Sequence, residues 1–129
     1  MTDPIADMLI RIKNAQAANH KSVRVPFSNL KYALAKILEK RGFVGDIDKR
    51  GKDVLRYIKI NLQYRNNLPA ISDVKRVSKP GQRIYIKKTE IRLVKQGCGI
   101  AVISTPKGLM TGEEAKKEGL GGELICEVW

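Results

Sequence analysis

The stretch GIAVISTPKGLMT, residues 99–111, decides how this chain is read. Ile100, Ala101, Val102 and Ile103 form a continuous apolar run, the pattern of a buried strand. The run stops at two adjacent hydroxyls, Ser104 and Thr105. Pro106 then fixes the backbone, Lys107 follows, and Gly108 releases the chain. A turn needs the proline and the glycine, but not two hydroxyls and a cation. Two readings of that tip are open. Such hydroxyls satisfy the backbone of their own turn. They also donate and accept hydrogen bonds in a way that suits the wide, shallow minor groove of RNA, lined with 2′-hydroxyls.

Working outward, Thr111-Gly112-Glu113-Glu114 has the spacing of a capping box, so a short helix is expected from there to Gly119. GGELICEVW then closes the chain as a strand. Upstream, a short helix is expected from about Thr89 to Lys95, ending near Gly97. ISDVKRV and RIYIK read as strands joined by SKPGQ, where Pro80 followed by Gly81 suits a type II turn. The second half is therefore strand-rich.

The first half is mixed. Asp3 can cap a helix that has Pro4 at its first position and Ile5, Met8, Leu9 and Ile12 along one stripe. SVRVPF is a short strand, demoted at Pro26. Ser28 caps a second helix with Leu30, Ala33, Leu34, Ile37 and Leu38 on one face, and Gly42 ends it. VGDI and VLRYIKINL bracket the turn DKRGKD as a β-hairpin, with Val54, Ile58, Ile60 and Leu62 sharing a face. QYRNNLPA is the expected boundary. The fold class is thus α+β in two small lobes. Residues 1–66 form an N-terminal α-β-α-β-β lobe, and residues 67–129 a C-terminal, mostly-β lobe with short helices.

At 129 residues the chain can build a core without metal or disulfide. Cys98 and Cys126 form no CxxC pair and have no histidine nearby, so they read as reduced thiols in apolar strands; no cofactor or metal is implied. No stretch has the length of a membrane span or the order of a signal peptide, which points to a cytosolic protein. Catalysis finds no support. His20, the one histidine, sits at a polar helix end, and Ser104 lies outside any GxSxG elbow. GLGGE at 119–123 precedes a strand instead of opening a helix, the wrong context for a nucleotide loop.

Charge is the unusual property. Twenty-five Lys and Arg stand against 13 Asp and Glu, a net charge of +12. Self-repulsion of that size is commonly offset by a polyanion. Residues 75–107 hold nine basic side chains (among them Arg76, Arg83, Lys88 and Lys107) against the single acid Glu90. Tyr85 lies among them as a flat stacking surface. The group suits binding of a phosphate backbone. Taken alone, the charge also fits a basic protein that binds nucleic acid without specificity.

DPIADMLIRIKNAQ, RVSKPGQRIY, GIAVISTPKGLMT and GLGGELICEVW resemble the bacterial form of small-subunit ribosomal protein number eight, in order and from end to end. The resemblance implies a two-domain α+β protein that binds the central domain of 16S rRNA early in assembly and organises the platform of the 30S subunit. It implies that Ser104, Thr105 and Lys107 form the loop meeting an irregular RNA helix. Arg76, Ser78, Arg83 and Tyr85 match the neighbouring hairpin, and Gly121, Gly122 and Glu123 the closing motif; Lys88, read from its charge alone, is expected to contact the backbone of any RNA. Lys13 and Asn14 on the first helix form a secondary contact. Small-subunit proteins five and twelve are the implied neighbours. Some members repress their own operon by binding its messenger, and the chain outside the ribosome is expected to be a monomer that does not bind membranes. Three positions depart from the family pattern. Gly112 stands in place of an acidic residue, Glu127 in place of a more often aromatic one, and Gln82 in place of a larger or basic one. The resemblance does not distinguish a bacterial from a plastid ribosome.

Overall fold

The computed structural model describes residues 3–129, which divide into two compact units. One is Ile5–Ser72; the other is Asp73–Trp129 together with Asp3 and Pro4. The segment read as the boundary has a local structure of its own. QYRNNLPA is a tight hairpin, strand β4 (Tyr64–Arg65) pairing with β5 (Leu68–Pro69) across Asn66 and Asn67, which have φ of 52° and 64°. Left-handed Asn-Asn suits a two-residue hairpin loop. Gln16 holds the segment beyond it. Its buried amide donates to the carbonyls of Phe43 at 3.1 Å and Gln63 at 3.4 Å, and accepts from the Ile71 N–H at 3.3 Å.

In the N-terminal unit, helix α1 (Pro4–Ala17) buries the expected stripe of Ile5, Met8, Leu9 and Ile12, and adds Ala15 and Gln16. Helix α2 (Asn29–Lys40) is capped by Ser28, whose hydroxyl accepts from the Lys31 N–H at 3.1 Å. It buries Leu34, Ala35 and Leu38, whereas Leu30, expected on that face, is exposed at the first turn. Gly42 ends the helix at φ 79°. Three antiparallel strands follow the order β1 (Ser22–Pro26), β3 (Tyr57–Leu62), β2 (Val44–Arg50). Pro26 thus lies on an edge strand, where a missing N–H is harmless. Ile58, Ile60 and Leu62 of the central strand are buried. Val54 is not on their face. Gly51 at φ 82° and Asp53 at φ 52° prolong the turn into a 3₁₀ segment over Asp53–Leu55, which leaves Val54 97% exposed.

In the C-terminal unit, strands β6 (Val74–Arg76), β10 (Gly122–Val128), β8 (Ile100–Thr105) and β9 (Gly108–Thr111) pair in that order, and β7 (Tyr85–Ile86) pairs with the start of β10. The quoted stretch is the β8–β9 hairpin. Thr111 caps helix α3 (Gly112–Glu118) through the expected box; its hydroxyl accepts from the Glu114 N–H at 3.2 Å, and Gly119 ends the helix in the left-handed region. Ile91, Ile103 and Ala115 form a core against which Ile86, Met110 and Leu124 pack.

Three expectations are corrected here. No helix runs from Thr89 to Lys95: two single 3₁₀ turns, Lys88–Glu90 and Lys95–Gly97, flank an extended segment. The β-branched Ile91 and Val94 are buried along that segment, a shape they favour over a helix. Gly81 does not take the positive φ that a type II turn demands, although the backbones of Lys79 and Gln82 bond each other at 2.8 and 2.9 Å. Cys98 lies exposed beside the second 3₁₀ turn and not in an apolar strand; only Cys126, in β10, is buried.

Candidate nucleic-acid interface

The register of β10 gathers most of the expected site. Glu123 faces Tyr85 of β7 on one side and Ser104 of β8 on the other. Register partners share a sheet face, so Tyr85, Glu123 and Ser104 form one row across three strands. Tyr85 is 70% exposed, a phenol ring open to solvent.

Beneath the row lies a polar brace. Ser78 is fully buried, and its hydroxyl donates to Glu123 Oε2 at 2.6 Å while accepting from the Ile84 N–H at 3.0 Å. Arg83 reaches the same carboxylate oxygen at 3.2 Å, yet about half of its side chain remains exposed. Arg76 points inward. Its side chain is 11% exposed, pairs through Nε with Asp3 at 3.1 Å, and donates to the Ile125 carbonyl at 2.6 Å. Ser78, Glu123 and Arg76 therefore fix the hairpin in place, and Arg83 and Tyr85 present themselves from it.

The two hydroxyls at the tip of β8 have different surroundings. Thr105 is 8% exposed; its Oγ1 donates to the Gly108 carbonyl at 2.8 Å and accepts from the Lys107 N–H at 3.1 Å. It closes its own turn. Ser104 is half-buried in the row, and among the described residues its hydroxyl has no hydrogen-bond partner. Lys107 is exposed at the apex, 3.4 Å from Glu118 of α3, a loose surface pair of small energetic weight.

Gly121 and Gly122 permit close approach of backbones. A Cβ on Gly121 would lie 2.5 Å from the Ile86 carbonyl oxygen and 3.0 Å from the Lys88 nitrogen; one on Gly122 would run into the Ser104 carbonyl. Lys88 is exposed on the 3₁₀ turn after β7. Lys13 (half-buried) and Asn14 (exposed) lie on α1 in the N-terminal unit.

Sequence reasoning did not find the partners made across the chain. Asp3 figured only as a helix cap, and Gln16 and Glu118 not at all; none carries a local signal for its partner. It also placed the basic charge in the second half. By unit, Ile5–Ser72 holds fourteen Lys and Arg against five acids, and the other unit eleven against eight. Among the described residues there is no metal-ligating cluster, and no helix is long and apolar enough to cross a membrane.

A family model described as “Ribosomal protein S8” matches residues 3–129. The chain is 50% identical over 129 residues to “Small ribosomal subunit protein uS8” of Dictyoglomus turgidum, covering all of this chain and 98% of the relative. The proteins of the same name from Clostridium botulinum and Mycoplasmopsis pulmonis are each 49% identical, with the same coverage. The chain thus belongs to the S8 family of small-subunit ribosomal proteins, and is a structural, non-enzymatic constituent of the ribosome in the cytoplasm.

Proposed function

We propose that the protein binds ribosomal RNA directly, through the face that carries Tyr85, Ser104, Arg83, Lys88 and Lys107, and that its target is the central domain of 16S rRNA. One observation carries this reading: an exposed aromatic ring and an unpartnered hydroxyl share a sheet row whose middle carboxylate is tied to the buried Ser78 hydroxyl. A prearranged surface loses little entropy on binding. Stacking on Tyr85 and hydrogen bonding at Ser104 supply fit, and the surrounding cations supply salt-dependent attraction. Arg76, Ser78, Thr105, Gly121, Gly122 and Glu123 act by holding that face in shape. Binding early in assembly orders the platform, beside small-subunit proteins five and twelve. The same face represses the protein's operon where the messenger repeats the rRNA fold, and Lys13 and Asn14 add a secondary contact.

Chemical probing of small-subunit rRNA with and without the protein tests the proposal. Protections confined to the central domain, and lost in the double variant Tyr85→Ala/Ser104→Ala, are expected. Protections scattered over the whole RNA, or unchanged in that variant, would favour a basic protein acting without specificity.

A further inference from the structure

Three quarters of the net charge, +9 of +12, belongs to the N-terminal unit, whereas the face just described belongs to the other. There, a shallow pocket of about 300 Å³ is lined by Arg11, Arg24 and Arg56, by Tyr57, and by the apolar Val25, Pro26, Val54 and Leu55. Its volume is at the lower end of the range for small-ligand sites, roughly 300–1,000 Å³. Val54 is 97% and Leu55 77% exposed, on a turn closed by the Leu55 N–H to the Lys52 carbonyl at 3.0 Å and the Arg56 N–H to the Asp53 carbonyl at 3.2 Å.

The cations are held in an unusual way. Arg24 sits 4.8 Å over the Tyr57 ring and Arg56 4.1 Å over the Phe27 ring, and among the described residues neither pairs with a carboxylate. Lys49 adds a third ring-held cation, 4.6 Å over Tyr32. Of the three pocket arginines, Arg11 alone has an acidic partner among the described residues, Asp7 at 3.2 Å. A ring fixes a guanidinium plane without neutralising it, so the charge and the outward N–H groups stay available to an anion. Fixed, unneutralised arginines beside exposed apolar side chains match a group that is anionic on one side and flat and apolar on the other.

We infer that this pocket holds one unpaired RNA nucleotide, its phosphate against Arg24 and Arg56 and its base on Val54 and Leu55. The inference rests on the RNA-binding reading above, but assigns it a second site on the other unit. A duplex keeps its bases stacked and cannot place one on the Leu55 surface, so the pocket distinguishes single-stranded from paired RNA.

The test compares the full-length protein with Leu55→Ser and Arg24→Gln, both at exposed positions, after equal melting temperatures confirm the fold. The probes are a short single-stranded RNA, a blunt RNA duplex with the same number of phosphates, and a peptide of alternating Glu and Leu. Leu55→Ser is expected to lose about tenfold in affinity for the single strand and nothing for the duplex; Arg24→Gln is expected to weaken both. Unchanged single-strand binding by Leu55→Ser would overturn the inference. So would displacement of the single strand by the acidic peptide through a contact that Leu55→Ser abolishes, since the pocket would then be a protein-docking site. Either result leaves the rRNA specificity of the Tyr85 face intact, and failure of that face leaves the Leu55 comparison readable.

Discussion

The hydroxyl of the fully buried Ser78 lies 2.6 Å from the half-buried carboxylate of Glu123, forty-five positions away along the chain. The bond ties the turn after β6 to the start of β10 and so sets where Tyr85, Arg83 and Ser104 stand. Glu123→Ala leaves a buried hydroxyl without its acceptor and frees Arg83. The expected cost is about 1–3 kcal/mol, read as a lower midpoint in urea, together with weaker RNA binding. Full stability in this variant would mean that the brace carries no weight.

The adjacent hydroxyls give a paired prediction. Thr105→Val keeps the shape but leaves the Gly108 carbonyl and the Lys107 N–H without their partner, so stability falls by about 1 kcal/mol. Thr105→Ser restores it. Ser104→Ala should leave thermal melting unchanged and still weaken cognate RNA severalfold. If Ser104→Ala melts early and binds normally, the assignments of the two residues are reversed.

Much of this was legible in the sequence, and the reasons for the rest are physical. Caps, glycine stops and the apolar run at 100–103 act within a few residues, so both long helices, the capping box at Thr111 and the closing strand were readable. The expected Thr89–Lys95 helix failed because Ile91 and Val94 satisfy the core from an extended chain. Val54 was misplaced because Gly51 and Asp53 prolong the turn by a 3₁₀ step. In the site, the residue types at the tip raised the right question, but the choice between turn and ligand needed the geometry. Thr105 turns the chain and Ser104 remains open. Long-range commitments such as Arg76 to Asp3 leave no local trace.

The closing glycines differ in what they tolerate. Gly122→Ala drives a methyl group into the Ser104 carbonyl, backbone against backbone. A loss of about 1–3 kcal/mol and a disturbed β8–β10 pairing are expected. Gly119→Ala meets open space and pays only for its left-handed φ of 69°, about 1 kcal/mol. Equal losses in the two variants, measured by thermal unfolding, would contradict the close-approach account.

The two thiols separate by burial. Enclosure in β10 pushes the Cys126 thiol up to about 12, with the nearby Arg76 offsetting only part of the effect, while Cys98 is exposed. Mass spectrometry after alkylation at neutral pH should show one adduct, at Cys98, and two only after unfolding. Because the folded protein keeps the Cys126 proton that the unfolded chain releases near pH 9, this group leaves stability unchanged below that pH. Its contribution is then lost as pH rises from about 9 towards 12. Rapid double alkylation of the native protein would show that β10 opens readily.

The most direct test of rRNA recognition is binding of the purified protein to a central-domain rRNA fragment across a salt series, with scrambled RNA and duplex DNA of equal length as competitors. Charge alone gives all three ligands a similar affinity that falls steeply with salt. The braced Tyr85–Ser104 face predicts that the rRNA fragment binds tighter by several orders of magnitude and keeps its lead as salt rises. If that lead disappears with salt, or DNA competes equally, recognition of the central domain by this face is contradicted.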